Sequence, residues 1–203
     1  MKKKEHKYTS DIAFTPAVKA LQEKFNSRKS YARMEEFGGW QSTVTPQLEL
    51  FLRTMDSFYL GTVNGSGQPY IQHRGGPKGF LKVLDDKRLA FADFSGNKQY
   101  ISTGNISENN KSFIFFMDYP NKSRIKVWGT TEVVFEDKEL VEQLADPSYT
   151  AKIERVFIFT IEAWDMNCPQ HIKQRYTIED LNMVTEPLHK KIQELETKLS
   201  AYE

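Results

Sequence analysis

Apolar residues recur along this chain with two different periods, and the change of period divides it. Val18, Leu21 and Phe25 fall at helical spacing after Thr15-Pro16, and Leu48, Phe51, Leu52 and Met55 do so after Thr45-Pro46. In each case a threonine able to cap free backbone N–H groups precedes proline at the first helical position. Two short helices are predicted, with a polar, glycine-containing stretch at 26–39 between them that reads as loop with some helix.

From Ser57 the period shortens to that of strands. "SFYLGTV", "PYIQHR", "FLKVLD", "RLAFADF", "KSFIFFMD", "RIKVWGTTEVVFE" and "RVFIFTIEAWD" are rich in β-branched and aromatic residues, and short polar segments such as "NGSGQP", Asp86-Lys87 and "YPNK" separate them. A short helix is expected at 138–144. Connections this tight suit an antiparallel sheet, whereas a doubly wound parallel fold needs a helix after nearly every strand. The fold class read from the chain is mainly β with added helices (α+β): an antiparallel, six-stranded split β-barrel with peripheral helices and a C-terminal helix. The expected layout is an N-terminal helical and loop extension at 1–45, a barrel domain at 46–175 and a helical tail at 176–203. In the tail Leu188, Ile192, Leu195, Leu199 and Tyr202 alternate spacings of four and three, a narrow heptad seam. It can pack on its own barrel or on a partner's tail.

Composition narrows the function classes. With 39% hydrophobic residues the chain can bury a real core, so disorder is not expected. Its 28 basic and 27 acidic residues leave a net charge of +1, without the basic excess of a general nucleic-acid or membrane binder. The basic opening is not followed by an apolar stretch, so it does not read as a signal peptide, and a cytoplasmic protein is expected. A single cysteine, Cys168, supports neither a disulfide nor a zinc cluster, and no G-x-G-x-x-G is present.

Four stretches carry candidate chemistry. In "FSGNKQY" a strand hands over to a helix through Ser95, Gly96, Asn97 and Lys98. Free helix N–H groups, a lysine and small polar residues make a seat for a phosphate. A capped turn with an exposed lysine reads the same. In "QHRGGPKGF" the paired glycines after His73 and Arg74 let backbone approach a flat ligand, and Arg74 or Lys78 can meet a phosphate. A wide hairpin turn with solvated bases is the plainer reading. "AWDMNCPQHIKQR" crowds Trp164, Asn167, Cys168, Gln170, His171 and Arg175 past a strand end, as a loop closing over a ligand or a neighbouring subunit would. In "RIKVWG", Arg124 and Lys126 share a face opposite Ile125 and Val127, either solvated or beside an anionic cofactor.

Taken in order and spacing, these stretches give the chain from about Leu48 to His171 a resemblance to the pyridoxamine 5′-phosphate oxidase-like family of FMN-binding split barrels. It is most similar to the bacterial branch of flavin-nucleotide-binding proteins without an assigned substrate. The resemblance implies a homodimer with FMN at the subunit interface, and a small-molecule substrate or electron donor. It places Lys98 at the lysine of the family's Ser-Arg-Lys phosphate clamp, with Ser95 beside it and Asn97 at the arginine position. Gln72, His73, Arg74 and Gly75 would run along the flavin. Gln99 and Asn105 would lie toward its ribityl or phosphate end. Arg124 and Lys126 would line the site from a later strand of either protomer, and Trp164, Gln170 and His171 would approach the ring. The chain departs from true pyridoxamine phosphate oxidases, which carry an arginine at the Gln72 strand position and a C-terminal arginine-histidine pair. An FMN-dependent oxidoreductase acting on another small molecule is therefore expected. The alternative is a flavin- or haem-binding protein that stores or senses without turnover, with His73 or His171 as an axial ligand.

Overall fold

A computed structural model describes residues 7–167 and 169–200. Cys168 and Tyr202, singled out in the sequence, lie outside the described residues, as does the side chain of Asn167. The chain divides into two compact units, one of residues 1–117 with 124–167, the other of residues 118–123 with 168–203.

In the first unit, helices form where the caps dictate. Thr15 Oγ1 accepts from Val18 N (3.3 Å) ahead of α1 (Pro16–Lys24), and Thr45 Oγ1 accepts from Leu48 N (3.2 Å) ahead of α3 (Pro46–Thr54). The stretch read mainly as loop holds a full helix between them, α2 (Arg28–Glu36). Tertiary contacts explain it. Glu35 is buried and receives Arg28 and the Ser10 hydroxyl (3.1 Å), so an otherwise polar segment gains a fixed interior anchor.

The strands are β1 (Ser57–Val63), β2 (Pro69–Gly75), β3 (Lys82–Val83), β4 (Arg88–Phe94), β5 (Lys111–Asp118), β6 (Ser123–Val134) and β7 (Ile153–Asn167), with α4 (Ile101–Glu108) and α5 (Lys138–Leu144) between them. They form one sheet in the order β2-β1-β5-β6-β7-β4-β3, and the registered pairs are antiparallel. The described sheet thus has seven strands rather than six. The extra one is β3, two residues long, where "FLKVLD" pairs with β4 only through Lys82 and Val83. Asx turns set the tight connections. Asn64 Oδ1 accepts from Ser66 N and Gln68 N, and Asp85 Oδ1 from Lys87 N and Arg88 N.

One face of this sheet curls around a single core of Phe58, Leu60, Phe91, Ile114, Phe116, Ile125, Val127, Phe157 and Phe159, with Leu48 and Leu52 of α3 as its plug. The edge strand β2 thereby meets the end of β4 that β3 leaves unpaired, through Arg74 and Asp93, which makes the sheet a split barrel. The far side of β4 and β7 is covered by α5, where Leu140, Val141 and Leu144 pack on Ala90, Ala92, Val156 and Ile158. Trp40 joins the N-terminal helices to the barrel: it stacks on Trp128 with centroids 4.5 Å apart, and Phe14 leans on it.

The second unit contains the turn at 118–123 and α6 (Ile178–Leu199), which starts at a capping box formed by Thr177 and Asp180. In this unit Arg175 lies over the Tyr119 ring and Gln174 donates to Pro120 O (2.8 Å).

Gly129 sits at the bulge between β6 and β7. A Cβ there would lie 2.0 Å from Thr160 O and 2.7 Å from the Phe159 ring. Gly129→Ala is expected to lower the free energy of urea unfolding by about 3 kcal/mol. Gly104→Ala, on an open face of α4 with nothing within 4 Å, is expected to raise it by about 0.8 kcal/mol.

Candidate functional site

The sequence 95–100 links β4 to α4, and it does so without capping the helix. Ser95 is turned away: its N–H donates to Lys152 O (2.8 Å) and its hydroxyl to Glu154 Oε1 (3.0 Å). Asn97 Oδ1 accepts from Gln99 N (3.2 Å), inside the loop. The residue that enters the helix, Tyr100, gives it no side-chain hydrogen bond. The first intrahelical bond runs from Gly104 N to Tyr100 O (2.8 Å), so the three amides before it have no partner within the helix. Lys98 and Tyr100 both take left-handed backbone conformations, φ 58° and 55°, which cost about 1 kcal/mol each. The sequence reading allowed a capped turn here; the structure has an uncapped one.

This loop forms one wall of a cavity of about 210 Å³, lined also by Gln72 and Arg74 of β2, Asp93 and Phe94 of β4, Ser102 and Thr103 of α4, and Glu154 and Arg155 of β7. Of the residues picked out by sequence, Gln72, Arg74, Asn97, Lys98 and Gln99 are brought together here. Gln72 Oε1 accepts from the Ser102 hydroxyl (2.7 Å), tying β2 to the first turn of α4.

Asp93 organises the charge. Arg74 of β2 pairs with its Oδ1, and Arg155 Nε lies 3.1 Å from its Oδ2. Arg155 Nη2 also donates to Glu154 Oε2 (2.5 Å), and its guanidinium lies over the Tyr100 ring. Burial pulls the pKa of Arg74 down from its ordinary value against the opposing pull of Asp93. The Ser95 hydroxyl, then Arg155, hold the Glu154 carboxyl below the usual range. Arg155 is 7% exposed, and its Nε, though within ion-pair distance of Asp93, makes no hydrogen bond; the buried Nε of Arg74 makes none either. Three cations thus face two carboxylates around the cavity. Lys98 forms no ion pair within 4 Å among the described residues, although Glu154 feels its charge. With the free amides of α4 added, the cavity has an excess of donors and of positive charge, suited to a phosphate or other oxyanion.

The other sequence candidates lie elsewhere. Asn105 is buried one turn beyond Ser102 on α4, outside the cavity lining, where its Nδ2 donates to Thr62 Oγ1 (3.0 Å) of β1. His73 lies on the outer side of β2 against Tyr59, with ring centroids 5.7 Å apart. Gly75 and Gly76 have a packing reason: Gly76 N donates to Asp56 O (2.9 Å), and a Cβ on Gly76 would lie 2.8 Å from Phe80. Lys78 lines a different cavity of about 430 Å³ with Arg53 and Lys82. Arg124 is the second residue of β6, opposite Asn167. Lys126 sits over both Trp40 and Trp128 (5.2 Å each) and 3.5 Å from Asp165, whose pKa burial raises against the pull of this lysine. Trp164 is buried and donates from Nε1 to Thr43 O (2.8 Å). In the second unit, Gln170 and His171 are exposed in the turn after β7, with His171 at φ 64°.

Sequence reasoning missed Asp93, Arg155 and Tyr100. The first two carried a signal. Each is a charge inside an apolar strand run, "LAFADF" and "RVFIF", and a charge buried in such a run requires a partner. The register supplies it, since Asp93 and Arg155 are directly opposed.

Asp93→Ala removes the carboxylate shared by two buried guanidiniums and is expected to lower the urea-unfolding free energy by about 3–5 kcal/mol. Lys98→Ala is expected to leave it within about 0.5 kcal/mol of the parent. That contrast separates the residue that holds the wall from a residue that lines the cavity without an ion pair.

The model of the family described as pyridoxamine 5′-phosphate oxidase matches residues 44–168. No curated protein matches the chain. Among solved structures it is similar to HupZ of group A Streptococcus, at 20% identity over 66% of this chain and 100% of that one, TM-score 0.46. It is also similar to an FMN-binding protein of Syntrophomonas wolfei, at 14% identity over 75% and 97%, TM-score 0.48. A third is a Clostridium acetobutylicum protein related to general stress protein 26, of the pyridoxinephosphate oxidase family, at 19% identity over 64% and 96%, TM-score 0.42. The family match takes in the whole of β1 to β6, α4 and the cavity between them, and the chain belongs to the pyridoxamine 5′-phosphate oxidase family.

Proposed function

We propose that this protein binds FMN and acts as an FMN-dependent oxidoreductase on a small molecule, as a homodimer with the flavin at the subunit interface. The observation that carries the reading is the donor-rich cavity at the uncapped start of α4. Its donors fit a flavin phosphate: Lys98 supplies mobile charge, the amides of 101–103 supply fixed donors, and the unpaired Nε atoms of Arg74 and Arg155 lie buried in the wall. Asn97 replaces the clamp arginine, and Arg74 and Arg155 from neighbouring strands compensate for its charge.

When bound, FMN supplies the electron transfer itself. The chain's own part is then to hold and orient. Arg74, fixed by Asp93, keeps the backbone of β2 in place beside the cavity. Gln72 and Ser102 lock the first turn of α4 to that strand. Among the described residues no three His, Cys, Asp or Glu side chains gather as metal ligands, and a flavin enzyme needs no side-chain acid-base pair of its own.

An aromatic strip on the outer side of the sheet supports pairing of two chains. Tyr59 stands opposite both His73 and Phe115, and Phe113 packs on Trp128 with centroids 5.0 Å apart. Tyr59 and Ile71 are exposed on this strip. The outward position of His73 suits contact with a flavin shared between two protomers. Pyridoxamine phosphate itself is not the proposed substrate, because Gln72 occupies the strand position where that activity uses arginine.

The visible spectrum of the purified protein, with the released ligand weighed by mass spectrometry, tests the reading. Flavin absorbance with the mass of FMN is expected. Titration of FMN-free protein should then show Lys98→Ala weakening the affinity by roughly 10- to 100-fold, as for loss of one charge-assisted phosphate contact. A haem Soret band, or a colourless protein that does not take up added FMN, overturns it. Flavin binding without turnover of any nicotinamide donor or other reductant overturns the oxidoreductase part alone.

A further inference from the structure

Helix α6 spans 22 residues, from Ile178 to Leu199, and buries none of them. Ile178, Leu181, Leu188, Ile192, Leu195 and Leu199 are each more than half exposed. A free helix of this length is marginal in water, and this one also contains Pro187, which removes a hydrogen bond from its interior. Its seam runs further than Leu188. Counting back in heptads, Ile178, Thr185, Ile192 and Leu199 take the first core position of the repeat, and Leu181, Leu188 and Leu195 take the second. Pro187 falls on the outer face, away from the seam.

We infer that α6 pairs with α6 of a second copy of this chain as a parallel two-stranded coiled coil. Two features select that occupant and that direction. Within α6 three of the four first-position residues are β-branched and the three second-position residues are leucine, the combination that favours two parallel strands. The flanking charges decide between orientations. Lys191 and Lys198 lie on one shoulder of the seam, His189 and Glu196 on the other. A parallel pair sets Lys191 against Glu196 of the partner subunit, twice by symmetry. An antiparallel pair sets like shoulder against like shoulder: Lys191 then meets only Val184 or lysine, Glu196 near full overlap meets Asn182, and neither gains an opposite charge. Within a single helix Lys191 has only the exposed Glu194 (3.1 Å), an exchange that costs little.

This pairing is independent of flavin, so its test is run on full-length protein freed of FMN. Cys168→Ser removes the native thiol. Leu181→Cys or Leu195→Cys then places one thiol in the seam, the two sites being about 21 Å of helix apart. Lys190→Cys places one on the outer face. Under mild oxidation both seam variants are expected to form interchain disulfides, read on a non-reducing gel, at least tenfold faster than the outer-face variant. Lys191→Glu is expected to slow linkage of Leu195→Cys, and adding Glu196→Lys to restore it. Linkage of one seam site only indicates helices that meet there without running in register. Equal rates at the outer face indicate mere proximity, and no linkage at all indicates an antiparallel pair, which sets Leu181 near Leu195, or another partner. Each of those three results overturns the inference.

Discussion

Asp93 is the residue on which the rest of this molecule depends. A split barrel must hold strands together where the backbone ladder cannot, and here the edge strand β2 and the end of β4 beyond its pairing with β3 meet through Arg74 and Asp93. Arg155 on β7, in register with Asp93, completes the group. Two buried guanidiniums and one shared carboxylate would leave one positive charge in a low-dielectric wall. Glu154, paired with Arg155, balances it. The positive excess of the cavity is then that of Lys98, with the free amides of α4 beside it. The same three side chains thus join β2 to β4 and line the donor-rich cavity.

The loop 95–100 turns that electrostatic condition into a site. Had Ser95 or Asn97 capped α4, the free amides of its first turn would have been used internally. Instead Ser95 is held by Glu154 and Lys152, Asn97 by its own loop, and the strained backbone at Lys98 and Tyr100 keeps the helix start open. Left-handed conformations at a lysine and a tyrosine are maintained only when surroundings enforce them. The Tyr100 ring under Arg155 is one such enforcement.

Much of this was legible in the sequence, for reasons that are local. Thr-Pro pairs placed α1 and α3, alternation placed the long strands, and the strand-to-helix turn at Gly96 to Lys98 does line a cavity, although Ser95 does not. What was not legible was long-range. The helix at Arg28–Glu36 exists because Glu35 finds Arg28 and Ser10 in three dimensions. Trp164 looked available to a ligand, but Thr43 takes its N–H and the core takes its ring. Asn105 looked like a ribityl contact, yet it faces Thr62. The double glycine at Gly75-Gly76 suggested a flat ligand, whereas Phe80 is what comes close to Gly76. Arg155 escaped notice because its significance is a matter of register, set by pairing with a strand some sixty positions earlier.

A crystal structure of the protein grown with FMN tests the central claim most directly, because a larger basic cavity lies among the described residues and the account commits to the smaller one. The flavin phosphate is expected within hydrogen-bonding distance of Lys98 Nζ and the first-turn amides of α4, with the Arg74–Asp93–Arg155 group intact behind it. A phosphate found instead in the larger cavity of Arg53, Lys78 and Lys82, or one that never touches Lys98, would contradict it.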